Sequence, residues 1–188
     1  RDQMAVITRE VIEKIPFLNT YTDKEKDILG KYSSSLFTLN TFYNANKTIV
    51  ARSAVQSSEP FLLQFWNCVT SHMVQWQQLE HKEITKVDLR ESYIATQSIV
   101  IQSFGRIGNY LFHHNVKDPE EYLAKLERIN WLRSSPQWYM RAINPNGRII
   151  TNKKAAMLIA NAVKEEIGIE LSAEEKTAEL ALSKTLSE

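Results

Sequence analysis

Four groups of residues have types and spacing that could do chemistry. Cys68 and His72 lie four apart, a spacing that puts two metal ligands on one helix face. Zinc takes three or four protein ligands, and no second cysteine exists. Both residues fall in an apolar stretch beside Trp66 and Met73, where a lone cysteine is most often buried, so they are read as packing residues. His113-His114 closes a helical pattern, where an imidazolium suits the negative end of the helix dipole. Gly105-Arg106-Ile107-Gly108 matches the GxxG loop of a KH domain by letter only. That loop needs strands around paired helices, whereas these glycines fall inside helical periodicity and suit close helix packing or a kink. Nucleophile-elbow, zincin, P-loop and dinucleotide signatures are absent from the sequence, so neither enzymatic activity nor a cofactor is expected.

The fourth group is the segment 131–164. It interleaves Trp131, Trp138 and Tyr139 with Arg133, Arg141 and Arg148, adds Ser134, Ser135, Asn144, Asn146, Thr151 and Asn152, and opens a helix on Lys153 and Lys154. Arginine and lysine neutralise phosphates, hydroxyls and amides bond phosphate oxygens, and helix N-termini present unpaired amides to anions. Two lysines at a helix start oppose the helix dipole, which an anion nearby would relieve. Arg141, Arg148, Lys153 and Lys154, then Arg133, are the expected phosphate contacts on duplex DNA. The competing reading makes Trp131 and Trp138 core anchors and the arginines a solvated rim. The tryptophans are expected to shape the loop rather than stack on bases.

Charge supports the singling out of this strip. The formal net charge is +1, yet residues 125–164 hold eight basic residues against Glu127 alone, a net +7. Residues 165–188 hold seven glutamates against Lys176 and Lys184, a net −5. Such asymmetry points to a polyanion-facing strip on an otherwise ordinary protein. With 43% hydrophobic and 24% charged residues, the 188-residue chain reads as one globular domain rather than a disordered one. No run approaches the roughly 18 apolar residues of a membrane span. A single Cys68 rules out an intramolecular disulfide and fits a reducing cytoplasm.

The elements that position the strip read mainly as α-helix. Residues 3–14 place Val6, Ile7, Val11, Ile12 and Ile15 on one face, stopped by Pro16. Thr22 to Glu25 has the letters of a capping box and predicts a short helix to about Tyr32. Ser34 or Ser35 should cap a helix carrying Leu36, Phe37, Leu39, Phe42 and Tyr43. A polar stretch, 51–58, reads as a loop. Ser58-Glu59-Pro60 predicts a helix to about Glu80. Thr85 and Asp88 suggest a further start, with the longest helix from Val87 to about His113. Asp118-Pro119-Glu120-Glu121 opens the next. Asn144-Pro145-Asn146-Gly147 predicts a hairpin or long ordered loop between 138 and 151. Thr151 or Asn152 caps a helix ended by Gly168, and Ser172 to Glu175 is a capping box for a charged terminal helix.

Residues Trp131 to Arg148, with Thr151-Asn152-Lys153-Lys154 and the Asn-, Ala- and Lys-bearing helix behind them, resemble the C-terminal signature of the DndB family of DNA sulfur modification proteins. Ile15 to Leu18, Leu36 to Leu39 and Phe65-Trp66-Asn67 are similar to further family blocks in the same order. Ser135, Tyr139 and an apparent insertion at Asn144-Pro145 depart from the family pattern. The family's DGQHR motif belongs to an N-terminal domain absent from this sequence, so residues 1–188 are expected to be one helical domain from the C-terminal part of a longer protein. The resemblance implies a bacterial, DNA-binding regulator of the genes for DNA phosphorothioation, acting at their promoter. Two other roles compete. One is a module that docks onto the modification proteins through its acidic terminal helix or exposed aromatics. The other is the non-catalytic part of a nucleic-acid or nucleotide-hydrolysing enzyme.

Overall fold

A computed structural model describes residues 2–188. The described residues form a mainly α fold of ten α-helices, three short 3-10 turns and one pair of two-residue strands. In chain order the helices are α1 (Gln3–Lys14), α2 (Pro16–Tyr21), α3 (Leu39–Val50), α4 (Glu59–His72), α5 (Val74–Glu80), α6 (Lys86–Ser92), α7 (Ser98–His113), α8 (Pro119–Leu123), α9 (Lys153–Ile167) and α10 (Ala173–Leu186). None is long and apolar enough to cross a membrane.

The core is built around α7, whose widest contacts are with α3 and then α9. Its glycines decide how closely α3 approaches. A Cβ on Gly105 would lie 3.0 Å from the Ala45 carbonyl oxygen, and one on Gly108 only 2.7 Å from Cγ1 of Ile49. Close packing is thus the role of the GxxG letters, and α7 runs unbroken through them. Phe17, Phe37, Phe42, Phe65, Trp66, Trp76 and Phe104 are all buried around this contact. Asn46 polarises the interior without penalty, because it donates to Thr8 at 2.9 Å and accepts from Trp66 Nε1 at 2.8 Å.

Several helix limits differ from the sequence reading, each for a tertiary reason. No helix follows Thr22. Instead β1 (Thr22–Asp23) pairs in parallel with β2 (Phe37–Thr38), and Asp23 accepts the amides of Glu25 and Lys26 in a tight turn. A helix over 24–32 would have had no face to bury: Ile28 and Tyr32 are 86% and 89% exposed. The third helix starts later than expected, with Thr38 as its cap, because Leu36 and Phe37 are committed to the strand pair and the core.

The helix expected to run from Pro60 to Glu80 breaks at extended Met73, which re-aims α5 so that Trp76 stacks on Phe17 at 5.5 Å and donates to the Ala95 carbonyl at 3.1 Å. The long helix expected from Val87 likewise divides into α6 and α7. Between them Tyr93 bridges Leu132, and the Ile94 amide donates to the Trp131 carbonyl at 2.9 Å. That break is a socket for the loop that follows.

Candidate nucleic-acid interface

Residues 129–152 form an ordered loop rather than a hairpin. Its backbone is joined to itself by isolated bridges, Ile143 to Ile149 and Tyr139 to Ile143, without a continuous ladder. Trp131 and Trp138 stack with ring centres 5.3 Å apart and planes 6° from parallel, and both are buried. Trp131 also meets the Phe104 ring edge-on, while Trp138 Nε1 donates to the Asn130 carbonyl at 2.7 Å. These rings bolt the loop to α7 and are closed to bases. At the loop's tip Asn144 and Arg148 are joined through their backbone at 2.8 Å, and Gly147 takes φ +83°, a left-handed value that glycine adopts without strain.

The structure divides the five expected phosphate contacts. Arg141 is committed inward. It grips both carboxylate oxygens of Glu179 at 2.8 Å and donates to the Leu158 and Gln137 carbonyls, with its side chain 14% exposed. Arg133 is half-buried and donates to the Arg90 carbonyl at 3.1 Å, so it braces the loop against α6. Arg148, Lys153 and Lys154 are exposed, and none has a carboxylate within ion-pair distance among the described residues.

Lys153 and Lys154 open α9, a 15-residue helix. Asn152 caps it by accepting the Ala155 amide at 2.8 Å, and the Asn152 carbonyl takes the amide of Ala156. The amides of Lys153 and Lys154 then remain without an intrahelical acceptor, at the positive end of the helix dipole. About 100° of helical rotation separates the two lysines, so they flank that end on different sides. Lys153 borders a groove of about 540 Å³ between α3, α7 and α9, and Lys154 borders a smaller hollow of about 190 Å³ beside α10.

The first groove brings Lys47 of α3 and Arg106 of α7 to the same space as Lys153. Arg106 also lines a neighbouring groove of about 600 Å³, together with Lys164 and Glu175. Glu175 accepts from Lys164 Nζ at 2.8 Å and Arg106 Nη2 at 3.1 Å, and its other oxygen takes the Ser172 amide. Burial works to raise the Glu175 pKa, but Lys164, the Ser172 amide and Arg106 outweigh it and hold it at about 2.

Cys68 and His72 serve elsewhere. His72 is held between Glu120 at 2.9 Å and Glu127 at 2.5 Å, tying the end of α4 to α8 and the 3-10 turn behind it. Burial tends to lower its pKa, but the two carboxylates reverse the sign and raise it.

A family model described as DndB, DNA-sulfur modification-associated, matches residues 1–170. The chain belongs to the DndB family. Membership ties it to DNA sulfur modification, and the matched span takes in the whole loop and α9. No curated protein and no solved structure matches this DndB-family chain. The match ends before α10, the helix whose Glu175 and Glu179 hold Lys164, Arg106 and Arg141.

The strip is legible in the sequence, and its neighbours across the groove are not. Lys47 and Arg106 lie on helices read only for their apolar faces. Their signal was the opposite face: Asn44, Lys47 and Thr48 share one side of α3, and Gln102 and Arg106 one side of α7, at helical spacing.

Proposed function

We propose that this DndB-family protein is a DNA-binding regulator of a bacterial phosphorothioation system, acting at the promoter of the modification genes, with a regulatory rather than a catalytic part. The observation that carries this reading is the trio Arg148, Lys153 and Lys154. These are exposed cations without acidic partners among the described residues: Lys153 and Lys154 open a helix whose first amides have no intrahelical acceptor, and Arg148 lies five residues before them in the loop. Phosphodiester oxygens answer both features at once. In this reading Arg133 and Arg141 act at one remove, holding the loop and α9 in register. The docking reading is weakened because Glu175 and Glu179, two carboxylates of the acidic terminal helix, are turned inward.

The test is duplex binding by the double variant Lys153→Glu/Lys154→Glu, measured on a promoter fragment and on an unrelated duplex. Reversing two phosphate contacts should weaken both by about tenfold or more, since backbone contacts carry no sequence preference. Binding equal to wild type on both duplexes overturns the assignment.

A further inference from the structure

The groove between α3, α7 and the first turn of α9 has a composition that a solvated seam between helices does not explain. Lys47, Arg106 and Lys153 come from three helices, and the remaining polar side chains lining it are amides and hydroxyls such as Asn44, Gln102 and Thr151. No carboxylate lines it, in a chain holding 22 acidic residues against 23 lysines and arginines. A seam free of selection for charge would mix the signs, because opposite charges at helical spacing stabilise exposed helix faces.

The cations are also disposed for an anion from outside. Lys47 is exposed, lies 5.3 Å from the centre of the Tyr43 ring and has no carboxylate at ion-pair distance among the described residues. Arg106, which lines the groove, shares Glu175 with Lys164, so one carboxylate serves two cations and the three groups together keep a net positive charge. Its Nε is buried without an acceptor. Lys153 adds the open amides of the α9 start to the same groove.

We propose that this groove is a second stretch of the DNA interface, in which a run of phosphodiester backbone passes from the α9 N-terminus toward Arg106 and is clamped on its outer side by Lys47. The proposal rests on the DNA-binding reading above and extends it to a helix about a hundred residues away in sequence. Hydroxyl and amide groups from Asn44, Gln102 and Thr151 would then bond phosphate or sugar oxygens, fixing the register of the duplex without reading bases.

The experiment measures binding of the full 188-residue chain to a short mixed-sequence duplex across a salt series. It compares wild type, Lys47→Glu, Lys47→Arg, Lys153→Glu/Lys154→Glu, and Lys31→Glu as a control outside groove and strip. Thermal unfolding confirms that each variant is folded; Lys47 is exposed, so its substitution leaves the core intact. Lys47→Glu should weaken binding by about tenfold and lower the salt slope by about 1, Lys47→Arg should bind as wild type, and Lys31→Glu should change nothing.

If the α9 double variant binds weakly while Lys47→Glu matches the control, the groove proposal is overturned and the DNA-binding reading stands. If Lys47→Glu alone weakens binding, the proposed path from the α9 N-terminus is overturned together with the assignment to the α9 lysines. If neither weakens it, both readings are wrong.

Discussion

Arg141 and Arg148 are seven residues apart in one basic loop, and the structure uses them in opposite ways. Arg141 meets Glu179 through two parallel hydrogen bonds and satisfies two further carbonyls, with little of it left to solvent. Burial tends to raise the Glu179 pKa, but Arg141 and Asn161 outweigh it and lower it, as a carboxylate gripped by a guanidinium requires. Removing one partner from such a pair strands the other, which is costlier than the pair is worth. Glu179→Ala should therefore destabilise the fold by about 2–3 kcal/mol, read as a lowered urea midpoint, while Arg148→Ala leaves the midpoint unchanged. An unaltered midpoint for Glu179→Ala would mean the clamp contributes nothing. From sequence the two arginines were equivalent. What separates them is a contact between residues 38 positions apart, which no local pattern encodes.

At the scale of elements, several capped helix ends were legible, and the breaks inside long apolar runs were not. Thr85 with Asp88 and Ser172 with Glu175 form reciprocal capping boxes, Asn152 caps α9, and Gly168 ends it at φ +89°. These devices act within a few residues, so their letters suffice. The breaks at Met73 and between Tyr93 and Gln97 left no mark, because apolar spacing continues across them. Core packing of Trp76 and docking of the Trp131 loop decide them instead. The letters at Thr22 misled for the converse reason: strand pairing with Phe37 claimed the residue first. The glycines of α7 belong to this scale too. Alanine at Gly108 would gain about 1 kcal/mol of helix propensity, but a branched side chain meets Ile49 with no room to turn. Gly108→Val should cost about 2–3 kcal/mol in chemical denaturation, by forcing α3 from α7. A variant as stable as wild type would contradict the close contact between α3 and α7.

Across the whole molecule, charge is sorted by position. The terminal helix spends carboxylates on inward cations, while Arg148, Lys153, Lys154 and Lys47 are left facing solvent. The sorting was partly legible: a net +7 strip beside a net −5 tail stands out in the sequence. Which cations remain open was not, because the tail folds back over part of the strip. A near-neutral protein that binds DNA through a few such residues should do so mainly by releasing counterions from the phosphates. The salt dependence of duplex affinity tests this most directly. The logarithm of the affinity should fall linearly with the logarithm of salt, with a slope of about −3 or steeper for wild type, and Arg148→Ala, Lys153→Ala and Lys154→Ala should each reduce it by about 1. A flat dependence, or slopes that these substitutions leave untouched, would contradict a DNA interface at the start of α9.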